Sequence, residues 1–119
     1  MTLSRRLLGA FFLASGTLHF ARPEIYERIM PDYLPAHREL VLASGAAELA
    51  GAAAVACRPI RRAGGWWLVA VLVAIFPANV HMTLHPDRYP AIPRWLLWAR
   101  LPLQPMLVVW ALRATRRES

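Results

Sequence analysis

Four apolar blocks, Arg6 to Ala21, Leu40 to Cys57, Gly64 to Met82 and Trp95 to Leu112, constrain what this chain can fold into. Each approaches the roughly 20 residues a helix needs to cross a hydrocarbon core about 30 Å thick. The second block holds Glu48 as its single charge, and the third holds none. A soluble domain of 119 residues would carry more charge than the 18% found here. The blocks predict an all-α fold, a single domain over 1–119 built as a four-transmembrane-helix bundle with spans over 6–21, 40–57, 64–82 and 95–112. No repeat or low-complexity linker divides it.

The net charge of +7 comes from arginines that punctuate the blocks, with no lysine. They form no continuous basic face and no recognition motif, so no nucleic-acid partner is expected, and topology is the better account of them. In a four-span thread Arg5, Arg6, Arg58, Arg61, Arg62, Arg113, Arg116 and Arg117 share one side. Arg22, Arg28, Arg38, Arg88, Arg94 and Arg100 share the other. The more basic side is cytoplasmic by the positive-inside rule, which places both termini there. "MTLSRRLLGAFFLASG" also resembles a signal peptide, but it lacks a small-x-small cleavage site and three more blocks follow, so it reads as an uncleaved first helix. Cys57 is the only cysteine, which rules out an intramolecular disulfide or a CxxC redox pair.

The connections differ in kind. "RPIRRAGG" is short and basic, whereas the two outer connections carry Pro23, Pro31, Pro35, Pro86, Pro90 and Pro93, with Pro77 just inside the third span. Proline narrows the unfolded ensemble and fixes a loop's path, so these connections read as a built cap. In the first of them, "EIYERIM" places Ile25 with Ile29 and Tyr26 with Met30 at i, i+4, the pattern of a short interfacial helix. Trp66 and Trp67 at one end, and Tyr89, Trp95 and Trp98 at the other, read as aromatic belts in preference to a ligand clamp. Ala46, Ala47, Ala50 and Gly51 offer close helix approach.

Threading the spans brings polar residues towards one level: His19, His37, Asn79, His81, His85, Arg100 and Gln104. Glu48 shares a helical face with His37 and Ser44, roughly 16 Å deeper than His37. A charge in hydrocarbon is costly, so Glu48 is expected to face the bundle interior and find a partner, with Arg100 first and His19 and Asn79 next. The predicted polar cavity is lined by His19, Tyr26, His37, Ser44, Glu48, Asn79, His81 and Arg100. Interhelical hydrogen bonding accounts for Glu48 as readily as a ligand or proton role does. His81 and His85 have the i, i+4 spacing of a metal pair, but Pro86 disfavours helix at His85 and no second motif supports ligation, so no metal is assigned. Haem ligation lacks an accompanying redox motif. No nucleophile, base and oxyanion set assembles, and catalysis by this chain alone is not expected.

"SGTLHFARPEIYERIMPDYLPAHRELVLASGAAELAGAAAV", followed by "FPANVHM" and "RLPLQPMLVVWAL", resembles the DoxX-like family of small bacterial four-helix membrane proteins. The motifs HFxxPxxYxxIMPxYLP, SGxxExxG and FPAN carry the resemblance over nearly the whole chain. It implies a multi-pass protein of the bacterial inner membrane, with His19, Pro23, Tyr26, Pro31, Glu48, Pro77 and Asn79 at motif positions. It also implies a membrane subunit or accessory of a redox system, with a quinone as the small lipophilic ligand. The partners would be the lipid bilayer, membrane or periplasmic oxidoreductase subunits, and further copies of the chain. The alternative is a non-catalytic scaffold or small-solute transporter whose polar residues are structural.

Overall fold

The computed structural model describes the chain except residues 1, 29, 31–33, 91 and 117–119, and of residue 28 it describes the backbone alone. Ile29, Pro31 and Arg117, and the side chain of Arg28, invoked above, lie outside the described residues. Among the described residues the fold is all helical: α1 (Leu3–Ala21), α2 (Pro23–Arg28), α3 (His37–Ala56), α4 (Arg61–Leu84) and α5 (Arg94–Thr115). Single 3-10 turns at Arg58–Ile60 and Pro86–Arg88 join the longer helices. The ends of the four long helices fall within three residues of the predicted blocks, because composition and proline act locally. Pro86 pushes His85 out of the helical region, to φ −127° and ψ 57°, and α4 stops at Leu84.

Among the described residues three segments, His37–Ala56, Arg58–Leu84 and Arg94–Thr115, are long and apolar enough to cross a membrane. In α1 the pair Arg5–Arg6 and the polar Ser15, Thr17 and His19 dilute the apolar run. The molecule is 48 Å long, close to the roughly 40–45 Å of a bilayer with its headgroups. Trp95 (70% exposed), Val73 (60%) and Met106 (65%) face outward, as side chains in contact with lipid do.

α1 packs along α3, α3 against α4 and α4 against α5, and α5 closes the ring on α1. On α1 and α3 the buried residues form a stripe at three- and four-residue spacing. On α1 the stripe is Arg5, Leu8, Phe12, Gly16 and His19, and on α3 it is Val41, Gly45, Glu48, Ala52 and Val55. The half of the bundle nearer the arginines holds the main apolar core, with Leu8, Phe12, Val55, Leu68 and Ala111 at its centre. A smaller cluster of Met82, Tyr89 and Leu97 closes the other end. Tyr89, expected in an aromatic belt, is therefore 4% exposed, with its hydroxyl 3.4 Å from the Met30 carbonyl.

The arginine end is closed by side chains that reach across to a neighbour's last turn. Arg5 of α1 donates from Nε to the Ala114 carbonyl of α5 at 2.7 Å, and Arg61 of α4 does the same to Val55 of α3 at 2.7 Å. The last carbonyls of a helix lack intrahelical donors and carry the negative end of its dipole, so a guanidinium there satisfies both. These two arginines act as helix caps.

Candidate functional site

The site begins with two glycines. A Cβ on Gly45 would lie 2.6 Å from the His19 Cβ and 3.0 Å from the Gly16 carbonyl, and one on Gly16 would lie 2.8 Å from the Gly45 carbonyl. Only hydrogen at both positions lets α1 and α3 come this close. Ala46 and Ala50, expected to serve this purpose, are exposed, since they fall on the other face of α3.

That approach brings Glu48 against α1. The Ser15 hydroxyl donates to Glu48 Oε1 at 2.8 Å, and His19 Nδ1 lies 3.3 Å from Oε2. Nδ1 also lies 2.6 Å from the Ser15 carbonyl. A carbonyl only accepts, so this nitrogen carries its hydrogen whatever the ring's charge. The hydrogen points at the carbonyl, which leaves Glu48 Oε2 buried at ion-pair distance from His19 but without an aligned hydrogen bond. Glu48 and His19 are 5% and 7% exposed.

Tyr26 of α2 stacks on His19, with ring centroids 3.7 Å apart and planes 19° off parallel. Arg38 at the start of α3 holds α2 with a two-pronged pair to Glu27, Nε to Oε1 at 3.0 Å and Nη2 to Oε2 at 3.2 Å. Burial pushes the Tyr26 phenol above its ordinary value; a hydrogen bond with Ser15 opposes the shift, and the Glu48 charge adds to it. Tyr26, Ser15, Glu48 and His19 thus form one cluster spanning three helices.

A cavity of about 330 Å³ opens beside this cluster. His19, Tyr26 and Ser44 line one side, Asn79 and Arg100 line another, and Leu40, Val41, Ile75 and Met82 are among the apolar walls. The Arg100 guanidinium donates to Asn79 Oδ1 at 2.5 Å and lies 3.8 Å from the Met82 sulfur. Arg100 is thus held by α4, and the expected pair with Glu48 does not form. The reason is packing: α5 lies against α4, whereas Glu48 sits on the stripe of α3 that faces α1. Of the predicted lining residues, His19, Tyr26, Ser44, Asn79 and Arg100 meet at the cavity. Glu48 stands behind His19, and His37 and His81 are not among the lining residues.

The His81 and His85 rings lie 4.5 Å apart, with His85 Nδ1 3.0 Å from the His81 carbonyl. Among the described residues no third His, Cys, Asp or Glu joins them in a metal-holding group. Sequence reasoning passed over Ser15, although its i, i+4 spacing from His19 put both on one face of α1. Chemically, the cavity presents the Arg100 guanidinium on one wall and the Tyr26 and Ser44 hydroxyls with the His19 ring on the other, with apolar surface between.

No curated protein and no solved structure matches the chain. A family profile described as a domain of unknown function (DUF8561) matches residues 8–115, which takes in α3, α4, α5, α1 from Leu8 onward and every residue lining this cavity. The chain therefore belongs to the DUF8561 family.

Proposed function

We propose that the protein is a four-span protein of the bacterial inner membrane, with both termini in the cytoplasm. Its outward-facing cavity takes the head of a small lipophilic molecule such as a quinone, and it serves as a membrane subunit or accessory of an oxidoreductase. The carrying observation is the cavity of about 330 Å³ with Arg100 on one wall and His19 stacked on Tyr26 on the other. A quinone offers two carbonyl acceptors on a flat apolar ring, which suits donors on opposed walls. The volume lies at the small end of the roughly 300–1,000 Å³ usual for ligand sites, enough for a head whose tail remains in lipid. Counting α1 as the fourth span is supported by its 19-residue length and its continuous packing along α3. The redox part of the reading rests on the DoxX-like motifs.

A second reading, a scaffold or small-solute transporter, is favoured by one observation: the Ser15–Glu48 and Asn79–Arg100 bonds both join neighbouring helices. Native mass spectrometry of gently extracted protein, with lipid extraction of the same sample, separates the two. A stoichiometric small molecule in wild type that is lost in Glu48→Gln and Arg100→Gln, with helicity intact, is the expected result. An empty wild type, with variants that are merely less stable, would leave the scaffold.

A further inference from the structure

At the opposite end of the bundle lies a second cavity, of about 570 Å³, whose lining includes Arg5, Arg58, Arg61, Arg62 and Arg116 together with Trp66. It sits where α1 and α4 begin and α3 and α5 end. Arg5 and Arg61 are buried and anchored through Nε to the last turns of α5 and α3, so their positions are fixed before anything binds. Arg62 and Arg116 are exposed at the rim. The exposed Arg62 and Arg116 guanidiniums concentrate positive potential at the mouth of this concavity, where it attracts an anion. Planar N–H forks pair with the oxygens of phosphate as they do with those of carboxylate, and basic pockets between membrane helices take anionic phosphate headgroups. Trp66, 53% exposed, adds an aromatic ring of the kind that settles at headgroup level.

We propose that this arginine-lined cavity is a binding site for an anionic phosphate, supplied by a lipid headgroup or by free phosphate. The site is separate from the cavity at the histidine end and does not depend on any ligand there. It rests only on the reading of the chain as a membrane bundle.

The test is native mass spectrometry of detergent-purified protein titrated with dioleoylphosphatidylglycerol or dioleoylphosphatidylcholine, beside thermal unfolding in sodium phosphate against sodium chloride at equal ionic strength. The probe protein is wild type, R62Q/R116Q, and R6Q/R113Q as a control at the same end. Neither R62Q/R116Q substitution touches a helix-capping bond. Preferential retention of phosphatidylglycerol by wild type, falling roughly thirtyfold in R62Q/R116Q but not in R6Q/R113Q, supports a lipid headgroup site. Stabilisation of wild type by phosphate alone, lost in the same variant, supports the site with free phosphate as its source. Equal retention of both lipids without phosphate stabilisation overturns the proposal. An equal loss in R6Q/R113Q overturns it as well, since diffuse surface charge would then account for binding. So does an undiminished preference in a helical R62Q/R116Q variant.

Discussion

The two halves of the bundle solve the same packing problem with different materials. Towards the arginine end Leu8, Phe12, Val55, Leu68 and Ala111 fill the axis between the helices. Towards the histidine end the same stripes carry Gly16, His19, Gly45 and Glu48, and a cavity opens beside them. Continuity of the stripes teaches that the polar residues occupy core positions. Their burial follows from the same helix faces that bury Leu8 and Val55. One half therefore supplies stability, and the other is free to hold polar groups that a uniformly apolar core would exclude.

The sharpest way to break this division is Leu68→Ala. Leu68 is fully buried in the apolar half, and its truncation is expected to cost roughly 2–4 kcal/mol through lost packing. Reversible unfolding in mild detergent measures the loss. If the proposed quinone site is right, binding of a short-chain quinone analogue, assayed well below the variant's melting point, should stay at the wild-type level. Weakened binding there would show that the halves are not independent.

Gly45→Ala tests the other half and should cost less, roughly 1–3 kcal/mol, because the new methyl meets the His19 Cβ and must push α1 from α3. Here the proposed quinone site predicts the reverse order of effects: binding of the quinone analogue should fall by more than stability does. A variant that loses stability yet binds normally would separate the cavity from the α1–α3 approach.

The smallest effect concerns Tyr26. Its phenol is raised above the ordinary 10.0, so the neutral form is favoured in the folded protein. The stability linked to it is complete below pH 10.0 and is lost as pH climbs through the raised value. Ultraviolet titration of wild type minus Tyr26→Phe should show one phenol ionising late. A difference spectrum centred at or below pH 10.0 would mean that Tyr26 is not packed on His19 beside Glu48.

Much of this was legible in the chain. Apolar blocks and prolines act within a few residues, so the helix ends, the stop before Pro86 and the short helix carrying Tyr26 could be read directly. Three cavity residues, His19, Asn79 and Arg100, could also be brought to one level by counting along the helices, and Ser44 could be placed by the face it shares with Glu48. Ser15 was missed because a serine in an apolar helix has many bland explanations, and its spacing from His19 was the signal that could have found it. The capping by Arg5 and Arg61 was hidden behind their value as topology markers.

The sequence by itself determined which segments are helices and how long they are, because these depend on neighbours within one or two turns. Only the tertiary structure decided who meets whom. Glu48 pairs with Ser15 and His19 because Gly16 and Gly45 admit α1 at close range, and Arg100 pairs with Asn79 because α5 lies on α4. Partner choice between helices depends on the distance and rotation at which whole surfaces fit, and no local count of residues contains that information.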